Sequence, residues 1–521
     1  MIYQNLQTIA FTILTSLGFV ASKKMNNAEF PSLQDMTNSA DSFLALFLAD
    51  HDRHMFYLVC MCVISFWILL EVIFFFVVYC YLLPGLQKLT KPQAYPTCTI
   101  QFMKRIISSV NDIECYTFEK YVEGFFRGAK FEEVYQDNFR SFLAWAMFGK
   151  QLNNLTETQH RDIMEVSEYA AQVHPIVRKV KPGFNPNIKH CCMTYEPIPT
   201  IHRPFLTYVI VAMMEAAANT LFLRMRGFQN LEINGMTYWY RKRNDGDDSR
   251  SPLSNTSTGS TGEEPLVFLH GIATGWMLYL QIAKAMGSNR TLILIDLDAI
   301  KIKSMTFKMP TPQQFVESFR QVLDRHRIPR ASVVGHSFGS ITAGWLVTHC
   351  PDRVSHLTLL DPVSMLLSFP EVSYSFLYRP PAKITEWIIY LMASRELTIS
   401  HTLHRHFWWY NNNLWLEDVP AHIGVVVGIA THDEIINPLA VHQYVRHCAQ
   451  KRLEQCQGVS KGSSSNSAAA VDMARMECLV WDGFSHGQIL LPTAAQAHLV
   501  ATFRANEKVG TSPVKKCSNT L

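Results

Sequence analysis

No run of lysines and arginines interleaved with aromatics occurs in the 521 residues, and the formal net charge is only +4. A basic, base-stacking surface is therefore lacking, and nucleic acid is set aside as a partner. Paired C-x-x-C motifs are lacking too: the 12 cysteines are scattered, with Cys60, Cys62 and Cys80 in one apolar run. That excludes a zinc ribbon or a disulfide framework and fits reduced thiols. Cys191 and Cys192 beside His190 have no second half to complete a ligand set. His401, His404 and His406 have no carboxylate or thiolate near them and stand beside Phe407, Trp408, Trp409 and Tyr410. They read as an aromatic lid wall, and no metal or cofactor is expected. Charged residues are scarce at 17% against 48% hydrophobic, enough to bury a full core and a further region at ~100–200 residues per domain.

Long apolar runs are what the chain has in plenty. "MFYLVCMCVISFWILLEVIFFFVVYCYLLP", residues 55–84, holds Glu71 as its one ionisable group besides tyrosines and cysteines. It exceeds the ~20 residues that cross a bilayer, and a core helix rarely stays apolar on all sides for so long. It is read as a transmembrane helix, with Glu71 turned to a partner helix or local water. The run at 9–20 is shorter, broken by Thr12, Thr15 and Ser16, and no basic residue precedes it. This argues against a cleaved signal peptide and leaves a second short anchor open. The run at 205–225 carries Glu215 and Asn219 one helical turn apart, which favours a helix on the membrane surface or packed on the globular part over a second span. Lys88, Lys91 and Lys104 follow the 55–84 span, whereas Arg53 alone lies shortly before it. The bulk of the chain is accordingly expected on the cytosolic side of an intracellular membrane, leaving sequons at Asn154, Asn255 and Asn289 unused.

Composition then divides the chain into an N-terminal segment 1–54, the span 55–84, a helical accessory region 85–228, a domain over 229–505 and a flexible tail 506–521. "TFEKYVEGFFRGAKFEEVY" and "FRSFLAWAMFGKQL" are helix-like pieces of the accessory region. Asn234-Gly235 is a hairpin signal, and the polar stretches 242–264 and 457–474 read as a disordered loop and an insertion. From residue 265 onward recur "PLVFLHG", "TLILIDL", "ASVVGHS", "HLTLLDP", "IGVVVGIATHD" and "ECLVWDGFSHG", short continuous apolar runs separated by helix-like stretches. Such runs are buried parallel strands. The pattern predicts a doubly wound, mostly parallel α/β sheet with ligands at the carboxyl ends of its strands.

At one such end "GHSFGS" sets Ser337 between Gly335 and Gly339, the G-x-S-x-G of a sharp strand-to-helix turn. A serine hydroxyl needs a base, and the base needs an acid to hold its tautomer. His486 and Asp433 end later strand candidates, in the order Ser, acid, His. Asp361 also ends one and stays open as the acid, although chain order favours Asp433.

On these residues the domain resembles the α/β-hydrolases: "LHGIATGW", "GHSFGS", "THDEIINP" and "DGFSHG" fall where that family has its oxyanion loop, elbow, acid turn and histidine loop. The resemblance implies an α/β-hydrolase fold with Ser337, Asp433 and His486 catalytic, and an oxyanion hole from the N–H groups of Ile272 and Phe338. Such donors contribute about 3–4 kcal/mol in acyl transfer. His270, Gly271, Gly335, His336 and Gly339 would shape the oxyanion loop and elbow, with "HGIA" departing from the family's HGGG form. "LLDPVSMLLSFPEV", "FLYRPP" and "RHFWWYNNNLW" are similar to a set of membrane-associated eukaryotic hydrolases. Residues 362–420, rich in Leu, Phe, Trp and Tyr, suit a helical cap over an apolar acyl pocket. The expectation is a membrane-anchored serine hydrolase acting on a lipid or other apolar ester; an acyltransferase on the same residues, or a non-catalytic membrane scaffold, remains open.

Overall fold

The computed structural model describes residues 52–91, 99–243, 264–272, 275–287, 290–302, 304–460, 475–491 and 494–510. The anchor considered at 9–20, Asn255, Asn289, residues 511–521 and most of 242–264 and 457–474 lie outside the described residues. The chain divides into two compact units, Met1–Phe76 and Val77–Leu521. What is described of the first is helical, Asp52–Phe75, the greater part of an apolar stretch Tyr57–Leu86 of 30 residues with mean hydropathy 2.7. At 1.5 Å per residue such a stretch exceeds the ~30 Å of bilayer hydrocarbon.

The second unit is built on an eight-stranded sheet in the order β1-β2-β4-β3-β5-β6-β7-β8. The strands are β1 Gln229–Ile233, β2 Met236–Arg241, β3 Leu266–Leu269, β4 Leu292–Ile295, β5 Ala331–His336, β6 Val354–Leu360, β7 Gly424–Ala430 and β8 Met476–Trp481. β1 and β2 form a hairpin across Asn234 and Gly235, both at positive φ (49° and 77°), the conformation that matches a two-residue turn to the strand twist. β2 pairs antiparallel with β4, and the remaining pairs are parallel. Every residue of β3, β4, β5 and β6 is buried, which is why these strands read as unbroken apolar runs rather than alternating ones.

Crossover helices cover both faces. One of them, Pro312–Arg325, starts cleanly because the Thr311 side chain accepts from Gln314 N–H, the Gln314 side chain reaches back to Thr311, and Pro312 opens the first turn. Below the sheet Ile282, Leu294, Val334 and Phe503 make one core. Above it a larger core joins Ile341 and Val425 to Phe369 of the cap and to Met103, Phe125 and Leu143 of the helical region. The 99–193 helices thus share their core with the sheet and the cap. Gly124 lies against the cap, where an added Cβ would meet the Pro370 ring.

One helical expectation changes. "TFEKYVEGFFRGAKFEEVY" is helical only over Phe118–Phe125; Arg127 and Gly128 take positive φ (58° and 86°) and a 3-10 turn Phe131–Glu133 follows. The 205–225 run is one helix, Phe205–Arg226, α over Phe205–Ala218 and looser through a π turn Asn219–Leu223, and it stops at Gly227, φ 78°. Glu215 turns inward to Lys301 Nζ at 3.7 Å, which Asp296 and Asp298 also face at 3.3 and 2.6 Å. Those carboxylates outweigh the burial that opposes the charge and hold the Lys301 pKa above the ordinary lysine value.

Candidate active site

The carboxyl ends of β3, β5, β6, β7 and β8 bring together residues spread over more than two hundred positions of sequence. β5 delivers Ser337 at φ 52°, with its N–H donated to the Leu360 carbonyl of β6 at 2.9 Å. The flanking glycines are set by space. A Cβ on Gly335 would lie 2.6 Å from the Gly339 carbonyl oxygen, and one on Gly339 would lie 2.1 Å from that of Leu269. The helix Gly339–His349 can leave the strand so abruptly only because nothing projects there. Gly339→Ala is therefore expected to cost several kcal/mol of stability, whereas Gly344→Ala, whose Cβ meets Leu414 at an ordinary 3.5 Å, should be neutral or slightly stabilising. Thermal melts of the two variants check this; equal melting temperatures would contradict it.

Ser337 Oγ stands 2.9 Å from His486 Nε2, and His486 Nδ1 stands 2.7 Å from Asp433 Oδ2. The other Asp433 oxygen accepts the N–H groups of Ile435 and Ile436 at 2.7 and 3.0 Å, and Glu434 Oε2 accepts the N–H of His486 at 3.0 Å. The acid turn thus grips both the ring and the backbone of the histidine. Burial opposes a charged imidazole, but the facing Asp433 carboxylate, with lesser help from Asp361 and Glu434, outweighs it and raises the His486 pKa above 6.5.

Asp361, the other acid left open by the sequence, has a different set of partners. Its Oδ1 accepts Ala430 N–H at 2.9 Å and its Oδ2 accepts Gly487 N–H at 2.8 Å. It ties the end of β7 to the histidine loop from a fully buried position at φ 43°. Burial, and then the neighbouring Asp433, push its carboxyl above the usual range. Asp361, Asp433 and His486 hold ligand-type atoms within 4.8 Å of one another, but their carboxylate oxygens and the His486 Nδ1 already serve the hydrogen bonds just described.

The oxyanion loop is locked by neutral groups. His270 Nδ1 donates to the Gly271 carbonyl at 2.8 Å and its Nε2 accepts Leu297 N–H at 3.0 Å. Gly271 N–H donates to the Tyr279 hydroxyl at 2.7 Å, which in turn faces His336 Nδ1 at 3.0 Å. Burial, with the neighbouring histidines, keeps His336 well below its usual pKa and so uncharged. Tyr279 and Glu434 were not singled out from the sequence. Glu434 had its signal in standing next to Asp433, whereas nothing local marks Tyr279, whose partners arrive from β5 and the β3 loop.

Ile272 and Phe338 line an apolar cavity beside Ser337. Ile341 and Met193 close it from the elbow helix and the helical region, and Phe376 and Leu377 close it from the cap. Burial lowers the pKa of His401 to about 3 and that of His404 to about 4. The His401 ring packs against Phe307 and His406. Burial likewise pushes the Cys191 and Cys192 thiols up to about 12.

A family model described as alpha/beta hydrolase fold matches residues 264–423. The chain is 32% identical over 116 residues to human (lyso)-N-acylphosphatidylethanolamine lipase, covering 22% of this chain and 32% of that one. It is 33% identical over 84 residues to human serine hydrolase-like protein, covering 16% and 40%. The matches thus span about a third of the length of these curated relatives. Among solved structures, a bacterial membrane phospholipase A described as a virulence factor aligns with 59% of this chain and 94% of its own, at 12% identity and a TM-score of 0.38.

Proposed function

For this chain, a member of the α/β-hydrolase superfamily, we propose a membrane-anchored serine hydrolase that cleaves an ester of a lipid or other apolar acyl group. The observation that carries the reading is the Ser337–His486–Asp433 relay, at 2.9 and 2.7 Å, opening on an apolar cavity. In the proposed reaction His486 Nε2 takes the Ser337 proton as Oγ attacks the ester carbonyl carbon, and the oxyanion is met by the N–H groups of Ile272 and Phe338. Collapse breaks the carbon–oxygen bond, and the alcohol departs with the proton from His486. Water, deprotonated by the same nitrogen, then attacks the acyl-Ser337 ester and releases the acid. The Asp433 carboxylate holds the tautomer and balances the imidazolium. The lipase named among the relatives supports an apolar acyl substrate. Product analysis after incubation with a long-chain ester tests the reaction: free acid supports hydrolysis, whereas acyl transfer to an added alcohol with no acid formed would make the chain an acyltransferase.

Anchoring rests on the 30-residue apolar stretch Tyr57–Leu86, and orientation on Lys88, Lys91 and Lys104 after it. The full chain is expected to stay in the membrane pellet through high salt and alkaline carbonate. Protease added to sealed vesicles should digest the region around Ser337. Protection of that region, or a glycan on Asn154, Asn255 or Asn289, would place it on the lumenal side instead.

A further inference from the structure

We propose that the outer faces of the helices Phe205–Arg226 and Ile384–Ser394 form one lipid-resting platform, through which the acyl chain of the substrate enters from the bilayer that holds Tyr57–Leu86. The proposal rests on the membrane-anchored reading and adds a second, peripheral contact to it. The first helix is two-sided. Phe205, Tyr208, Val211 and Glu215 are buried, while Leu206, Ile210, Met213, Leu221 and Met225 are exposed. On the second, a cap helix, Ile384, Trp387, Ile388 and Leu391 are exposed, Ile384 at 81%. Apolar exposure concentrated on two helices marks a contact surface rather than ordinary surface scatter.

The helix ends meet. The Arg203 guanidinium donates to the Arg395 carbonyl at 2.9 Å, and the Tyr208 hydroxyl to Glu396 Oε1 at 3.2 Å, joining the start of the first helix to the end of the second. The last turns of the apolar stretch arrive at the same place. The Tyr79 hydroxyl donates to the Ile201 carbonyl at 3.3 Å, its ring lies 4.8 Å from that of His202, and Ile198 N–H donates to the Gln87 side chain at 2.8 Å. Where the chain leaves the bilayer, the two apolar faces begin. Cations stand at their far ends, Lys383 before Ile384 and the exposed Arg224 and Arg226 in the last turn of the first helix, positions that suit lipid phosphates. Burial of Glu215 against Lys301 opposes the other use of the first helix, as a second span, because that pair would have to be broken.

The junction also reaches the active-site cavity. Arg395 donates to the Leu377 carbonyl at 2.8 Å, and Leu377 lines the cavity beside Ser337. The cap thereby links the proposed lipid contact to the wall of the cavity beside Ser337.

The test uses the full chain in phosphatidylcholine vesicles with brominated acyl chains. Bromine should quench tryptophan emission more in the wild type than in Trp387→Phe. Met213→Asp combined with Ile388→Asp should lower turnover of a vesicle-borne long-chain ester about tenfold or more, chiefly through KM, and leave turnover of a soluble acetate ester unchanged. Equal quenching in the two proteins, with vesicle turnover unaffected by the aspartates while the chain stays in the carbonate-washed pellet, would overturn the platform and leave the anchor standing. Release of the wild type by carbonate would overturn the anchored reading itself. A wild-type dimer in detergent that the aspartates dissociate, without bromine quenching, would assign the faces to a second copy and overturn lipid contact.

Discussion

Replacing Ser337 by alanine is expected to lower turnover of a soluble ester by on the order of 10⁶ and to leave the fold intact. The reasons lie in the elbow. Its geometry is held by the Ser337 N–H to Leu360 bond and by the two flanking glycines, none of which involves the hydroxyl. The hydroxyl's partner in the site is His486 Nε2, so its removal deletes the attacking atom and little else. Steady-state rates and a melting curve on the same preparation check both halves. An alanine variant that retains its activity would move the nucleophile elsewhere, and one that unfolds would show that the hydroxyl has a structural role.

Asp433→Asn is expected to lower kcat/KM by on the order of 10⁴, far more than Asp361→Asn. An asparagine amide cannot both accept from His486 Nδ1 and offset the charge of an imidazolium, whereas loss of the Asp361 carboxylate weakens its grip on Ala430 and Gly487 and removes a lesser charge facing the imidazolium. The pH profile separates these roles. His486 must be neutral to act as a base, and its pKa lies above the ordinary value because Asp433 overcomes the effect of burial. The wild-type kcat/KM should therefore rise with pH up to a plateau beyond that raised value. Without the Asp433 carboxylate the imidazole loses its proton more easily, so the rising limb moves to lower pH. A smaller shift in the same direction is expected for Asp361→Asn. Were Asp361→Asn the more damaging and the more strongly shifted, the acid of the relay would be Asp361.

The sheet is legible in the sequence for a specific reason: β3 to β6 are buried on both faces, so each appears as an apolar run with no alternation to misread. The elbow is legible because its glycines are demanded by contacts of 2.6 and 2.1 Å that any Cβ would violate. Other features depend on distant partners. Asp361 and Asp433 both follow strands, and only the approach of the 486 loop separates their hydrogen bonds. The Glu215–Lys301 pair joins positions from different elements, so Glu215 reads in sequence only as a polar spot on an apolar helix. The break at Arg127 and Gly128 was hidden because an arginine at φ 58° carries no local signature. Nor does composition reveal that Gly124 sits against Pro370 of the cap.

The most direct measurement is labelling of the full-length, membrane-bound chain with a fluorophosphonate probe, followed by mass spectrometry of its peptides. The phosphonyl adduct is expected on Ser337 alone, forming more slowly in Asp433→Asn and absent in Ser337→Ala. An adduct on another residue, or an unlabelled wild type that is folded and membrane-bound, would contradict an acyl-enzyme on Ser337.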